Sequence, residues 1–307
     1  MGRYVIRRLL QMIPVFIGTT FIIFVMVHAL GDPVAAKFGD KTPSPAVLEQ
    51  FRESLHLNEP LIVQYGRYMA GIFTGNLGDA FNGTTVVDLL KMAYPTTVKL
   101  ALTAFVIEAV IGIGLGVLSG MRRGRLADTS VMVMTLVVIS IPTFVIGYVL
   151  QYLLGVKWGV ITPTVDPSVP FQQLIVPGLV LASVSLAYVA RLTRTTIAEN
   201  TKADFVRTAV AKGLPRRRVV THHLLRNSLI PVVTFLGTDL GALMGGALVT
   251  ERIFNIQGVG FWLYQGVVHQ DANTTVGFVT VLVIVYLLAN LLVDLLYAVL
   301  DPRIRYA

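Results

Sequence analysis

The chain has 307 residues, of which 54% are hydrophobic and only 14% charged. A soluble protein of this length cannot cover its surface with so few charges, which excludes the ordinary soluble classes. The net charge of +8 raises nucleic acid as a partner, and the absence of cysteine excludes disulfides, thiolate metal sites and cysteine nucleophiles.

The chain opens on Arg3, Arg7 and Arg8, followed by an apolar run from Leu9 to Leu30. Signal-peptide cores span roughly 7–15 residues, whereas a helix crossing a bilayer needs about 20. The run is therefore expected to remain as a first span, despite a cleavage-like Val27-His28-Ala29. Five further apolar segments follow: Thr96 to Gly120, Val131 to Gly155, Leu174 to Ala190, Leu229 to Thr250 and Val276 to Leu300. None shows the alternation of a barrel strand, and backbone in hydrocarbon must satisfy its own hydrogen bonds, so all are expected as helices. The predicted fold class is an all-α membrane protein with six transmembrane helices.

Between the first two spans lies a long polar loop, residues 31–95. Ser44-Pro45 is a capping residue followed by proline at the first helical position. It predicts a helix with Val47, Leu48, Phe51 and Leu55 on one face. A second helix is predicted over Ile62 to Phe73, ending before Gly75. Two readings of this loop are open, a small helical cap over the span ends or a docking surface for an external partner.

Orientation follows from where Lys and Arg gather. The N-terminus, the loop with Arg122, Arg123 and Arg125, the loop from Arg191 to Arg226 and the tail with Arg303 and Arg305 share one side. The acidic residues Asp32, Asp40, Glu49, Glu53, Glu59, Asp79 and Asp88 lie on the other. Both termini are expected in the cytoplasm. Because the basic residues flank spans, with no recognisable nucleic-acid-binding fold around them, no nucleic-acid partner is expected.

The loop between the fourth and fifth spans predicts a short helix over Ala203 to Lys212, stopped by Gly213 and Pro215, with Phe205, Ala209 and Leu214 as apolar surface. A second short helix is predicted over Arg216 to Arg226. His222-His223 has no further ligand at metal spacing, so an interface role is expected there rather than a metal. The chain carries no Gly-x-x-x-x-Gly-Lys-Ser/Thr phosphate cradle, no His-Glu-x-x-His, no Gly-x-Ser-x-Gly and no evident carboxylate pair in facing spans. It is not expected to be an enzyme, and energy for any transport must come from a partner or an ion gradient.

Thr208-Ala209-Val210-Ala211-Lys212-Gly213 resembles the cytoplasmic EAA-G loop of ABC importer permeases in its peptide-permease form, with Thr208 where the wider family has Glu. The likeness extends over nearly the whole chain. It takes in Arg8, Pro14, Gly31-Asp32-Pro33, Leu57, Pro60, Gln64-Tyr65, Pro142, Phe144, Arg191 and Arg194. It continues through Leu229-Ile230-Pro231, Glu251, Phe254, Gly258, Gly260 and Asp301-Pro302-Arg303. Asn76 stands where relatives have Asp, and Gln257 where many have proline. By order and spacing the chain is similar to the dipeptide/oligopeptide permease family, first-subunit type.

That resemblance implies a type I importer permease. Residues 1–30 would be the cytoplasmic N-terminus and first span, 31–95 an external loop domain, and 96–307 a core of five spans holding the coupling loop 191–228. The implied partners are a second homologous permease subunit, ABC ATPase subunits or a fused double ATPase, an extracytoplasmic substrate-binding protein and the lipid bilayer of a bacterial cytoplasmic membrane. No cofactor is implied in this chain; ATP and Mg would be bound by the ATPase subunits. The loop at 203–216 would couple to them through Phe205, Thr208, Ala209, Ala211, Lys212, Gly213, Leu214 and Pro215. Nickel chelates and glutathione-like molecules are alternative cargoes. An ion-coupled secondary transporter is the rival class, against which stands the absence of a visible internal repeat.

Within the spans, Gly112, Gly116 and Gly120 recur four apart, as do Gly237, Gly241 and Gly245, a spacing that lets helix backbones approach closely. Glu108 and Asp239 are charged residues deep in spans, where charge is expensive. Each either bonds to a neighbouring span or meets cargo, for instance a peptide ammonium.

Overall fold

The computed structural model describes residues 2–30, 44–54 and 58–300. They are helical almost throughout, as backbone in hydrocarbon requires; an isolated bridge joins Asp79 to Thr85. Among the described residues, four helices are long and apolar enough to cross a membrane: Val5–Val27, Val86–Met121, Phe171–Asn200 and Ala272–Val293. Two bent pairs, Leu126–Ser140 with Thr143–Lys157 (99°) and Arg216–Ser228 with Ile230–Gly245 (47°), raise the number to six if each counts as one span.

Three span boundaries depart from the sequence reading, each for a local reason. The second helix starts at Val86 and runs through Pro95. Thr85 caps it: its backbone-directed hydroxyl accepts from the Asp88 N–H at 3.2 Å, and donates to the Asp88 carboxylate at 2.8 Å. The third span breaks at Ile141, which is extended (ψ 126°) because the following Pro142 disfavours helical backbone before it. The fourth helix continues past Ala190 to Asn200, so Arg191 and Arg194 sit on a helix and not in a loop.

The chain divides into two compact units, residues 1–97 with 255–307, and residues 98–254. The segment 96–307 read as one core is thus shared between them, because the last helix, Ala272–Leu300, packs along the first, Gly2–Leu30. In this unit the helix Leu61–Thr74 is fastened by two tyrosines. The Tyr65 hydroxyl bonds to Thr20 at 2.8 Å, and Tyr68 donates to Thr280 at 2.6 Å. Gly75 ends that helix in the left-handed conformation (φ 73°), as expected. The Asn76 side chain accepts from the Gly78 N–H at 3.1 Å in an Asx turn. Asp271 holds the start of the last helix to the loop between the first two spans, accepting from the Phe81 N–H at 2.8 Å. The helix Pro45–Ser54 begins where Ser44-Pro45 places it, with Val47 exposed. The side chains of Leu48 and Phe51 lie outside the described residues, as do Leu55, Gly31-Asp32-Pro33, Leu57 and Asp301-Pro302-Arg303.

In the other unit the second and fourth helices meet along glycines. A Cβ at Gly112 would come within 2.8 Å of Val189 Cγ1, and one at Gly120 within 2.9 Å of Ile197 Cβ; Gly116 faces Thr193 and the Ala190 carbonyl equally closely. The helix Ile230–Ile253 joins them through Val232 and Leu236, which are buried against Val189 with Phe105 and Ile113.

Candidate coupling and pathway sites

The loop helix spans Asp204–Ala211. Eight residues are too few for a stable isolated helix, so packing must hold it. Val206 and Ala209, three apart on one face, are buried in a cluster with Ile197, Val219 and Leu224, and Leu214 packs against them. The helix stops in a Schellman motif: the Gly213 N–H donates to the Val210 carbonyl at 2.9 Å and the Leu214 N–H to the Ala209 carbonyl at 3.3 Å. Gly213 takes φ 73°, a conformation that strains any residue with a Cβ.

This anchoring divides the expected coupling residues. Phe205, Thr208, Ala211, Lys212, Gly213 and Pro215 are exposed on the outer face. Ala209 and Leu214, expected as apolar surface for either the chain's own spans or another protein, are turned into the chain's own cluster. Sequence reasoning missed Val206, which anchors the helix, and Val210, which is 61% exposed. The spacing of 206 and 209 on one face and 205, 208 and 212 on another carried that information. The expected second helix, Arg216 to Arg226, is a turn at Arg216–Arg218, a π-helical stretch Val219–Leu224 holding His222 and His223, and a final turn Leu225–Ser228.

Glu108 opens a π-helical turn, Glu108–Gly112, in the middle of the second span. It is completely buried. Its carboxyl faces Asp239 on the fifth span and Ser185 on the fourth. Neither Glu108 oxygen, nor Oδ2 of Asp239, makes a hydrogen bond of normal geometry among the described residues. The fold therefore brings together the two deep carboxyls, correcting the expectation of no carboxylate pair in facing spans, and places the Ser185 hydroxyl beside them. The π turn was not visible in the sequence; such turns recur at functional sites because they re-aim a side chain.

The second glycine row behaves differently from the first. Gly237 is half-buried and Gly241 buried, whereas Gly245 is exposed and a Cβ there would meet nothing within 4 Å. Close packing within this chain is therefore not the role of Gly245, a correction to the expectation of one tight stripe.

At the arginine-rich end of the same unit, Arg194 clamps Asp128 with two bonds, Nε to Oδ1 at 2.5 Å and Nη2 to Oδ2 at 2.9 Å. Ser119 donates to Oδ1 at 2.5 Å and the Gly124 N–H to Oδ2 at 2.9 Å. One carboxylate thus ties the second, third and fourth helices.

Residues 112–306 match the family described as "Binding-protein-dependent transport system inner membrane component", and residues 1–101 match "Binding-prot-dependent transport system membrane comp, N-term". The chain belongs to this family. It is 34% identical to "Dipeptide transport system permease protein DppB" of Escherichia coli (strain K12), across 100% of this chain and 99% of that protein. It is 33% identical to "Oligopeptide transport system permease protein AppB" of Bacillus subtilis (strain 168), across 100% of both. With "Probable D,D-dipeptide transport system permease protein DdpB" of Escherichia coli (strain K12) it shares 36% identity, across 97% of this chain and 96% of that one.

The resemblance read from Thr208 to Gly213 and from the scattered motifs is therefore borne out at the level of the family. As a member of it, this permease is a membrane component of a binding-protein-dependent transport system. The exposed face of its loop helix and its buried carboxyl pair are the two features on which a transport mechanism can be built.

Proposed function

We propose that this permease is one of two homologous membrane subunits of an ATP-driven importer for dipeptides or oligopeptides in a bacterial cytoplasmic membrane. A binding protein delivers cargo from outside, both termini lie in the cytoplasm, and ATPase subunits holding ATP and Mg drive the cycle. The cargo class is the one printed in the names of its full-length relatives.

The observation that carries the reading is the loop helix Asp204–Ala211, anchored on one face by Val206 and Ala209 and bare on the other. An ATPase that closes on ATP pushes on Phe205, Thr208, Val210, Ala211 and Lys212. Because Val206 and Ala209 are packed on Ile197 of the fourth helix, the push is transmitted to a span as a rigid body. Gly213 and Pro215 end the helix sharply, so its outer face stays compact.

Cysteine at Lys212 or Phe205 is expected to crosslink to an ATP-hydrolysing subunit in the purified importer, with a yield that changes between the nucleotide-free and ATP-bound states. Capture of no ATPase subunit from either position would refute the coupling role. Gly213→Val places a β-branched residue at φ 73°, at a cost of about 1–2 kcal/mol. It is expected to leave insertion intact while ATP hydrolysis runs on without uptake. Uptake in proteoliposomes driven by an ion gradient without ATP would favour the secondary-transporter reading instead.

For the pathway, Asp239, the partly accessible member of the Glu108–Asp239 pair, is proposed to meet the peptide N-terminal ammonium, with Glu108 behind it. Two carboxyls side by side are costly in a low-dielectric span, and an ammonium supplies three donors. Asp239→Asn and Glu108→Gln are each expected to lower uptake of free dipeptides by about tenfold, the loss of roughly one charge-assisted hydrogen bond. Uptake of N-acetylated dipeptides, which lack the ammonium, should not fall further. Equal losses for both peptide types would return the pair to a purely packing role.

A further inference from the structure

We infer that a groove at the arginine-rich end of the second span binds an anionic phospholipid, its phosphate among four arginines and its acyl chain along an apolar strip. The groove is a half-open cavity of about 720 Å³. One wall is a strip on a single helical face of the second span: Gly114, where a Cβ would meet nothing within 4 Å, then Leu118 and Met121, which are 39% and 40% exposed. Residues at i, i+4 and i+7 stack one above another, so the strip runs continuously from the apolar helix to its charged end. That end is lined by Arg122, Arg123 and Arg125, and Arg216 reaches the same cavity from the loop after the fourth span.

The charge is uncompensated. Among the described residues none of these four guanidiniums makes an ion pair, and Asp128 is already filled by Arg194, Ser119 and the Gly124 N–H. Four like charges reach this cavity from two chain segments, and a bound anion would relieve their mutual repulsion. A phosphodiester is an anion that guanidinium forks match in a bidentate manner.

The apolar strip selects among phosphates. A free phosphate would use the arginines and leave Gly114 and Leu118 bare. A phospholipid fills both ends, and basic pockets beside span ends are a recurrent site for acidic headgroups. Because Arg216 belongs to the segment that also carries the loop helix, a seated lipid would tie that loop to the second span. The inference stands on this geometry and does not depend on the cargo or on the ATPase reading.

The test is native mass spectrometry of the complete importer, delipidated in mild detergent and then titrated with dioleoyl-phosphatidylglycerol or dioleoyl-phosphatidylcholine. The wild type is expected to retain phosphatidylglycerol selectively. Each arginine near a membrane surface contributes about a factor of five, so R122Q/R216Q is expected to lose retention about 30-fold. Gly114→Leu fills the strip at a position with room for it. It is expected to lower phosphatidylglycerol retention while the subunits stay assembled. Millimolar inorganic phosphate should not displace the lipid. Equal retention of the two lipids by the wild type would overturn the inference. So would displacement by inorganic phosphate at lipid-equivalent concentration, which marks a free-phosphate site. Loss of a protein subunit from R122Q/R216Q with lipid retention unchanged marks a protein contact and overturns it as well.

Discussion

Asp128→Ala is expected to lower the stability of the purified permease by about 3 kcal/mol, because breaking a buried ion pair leaves the surviving charge without compensation. The Asp128 side chain is 5% exposed and that of Arg194 23%. Removing the carboxylate strands the Arg194 guanidinium, the Ser119 hydroxyl and the Gly124 N–H at one point where three helices meet. Asp128→Asn keeps the shape and some of the acceptors, and should fall between the two. The double variant Asp128→Ala/Arg194→Leu should recover part of the loss, since no charge is then left unpaired. The measurement is the midpoint of thermal unfolding of the detergent-solubilised protein. A single variant melting with the wild type would show that the clamp contributes nothing.

The second large effect is expected at Gly116. A Cβ there would lie 2.6 Å from the Ala190 carbonyl oxygen, and backbone cannot move aside as a side chain can. Gly116→Leu must therefore force the second and fourth helices apart, at a cost of about 3 kcal/mol or more. Such a separation also opens the contacts of Gly112 with Val189 and of Gly120 with Ile197, and loosens the Asp128 clamp beside them. Gly114→Ala is the matched control, on the same helix but facing open space. It should be neutral or slightly stabilising, as glycine-to-alanine changes are at compatible helical positions. If both variants lowered the melting midpoint equally, helix propensity rather than the glycine seam would be responsible.

Both cases mark where sequence reasoning stopped. The four-residue spacing of Gly112, Gly116 and Gly120 announced a close helix contact, but spacing names no partner; Val189, Thr193 and Ile197 had to be seen. Asp128 raised no signal at all. It lies four residues beyond a glycine turn and looks like an ordinary acid near a span end, and only the extension of the fourth helix past Ala190 brings Arg194 to it. The loop helix was placed correctly because Gly213 and Pro215 are local stop signals, whereas the inward turn of Ala209 and Leu214 depends on Val219 and Leu224 folding back over it.

The sequence by itself determined the membrane class, the helical form and the family. Hydrophobic length, backbone hydrogen bonding in hydrocarbon and short motifs are all local properties. Tertiary structure alone decided which polar groups share a site. Glu108 and Asp239 are far apart in the chain, and nothing within a few residues of either records the other. Their meeting, like the convergence of Arg216 on Arg122, follows from how helices pack, and packing is a property of pairs of surfaces rather than of either strand of sequence.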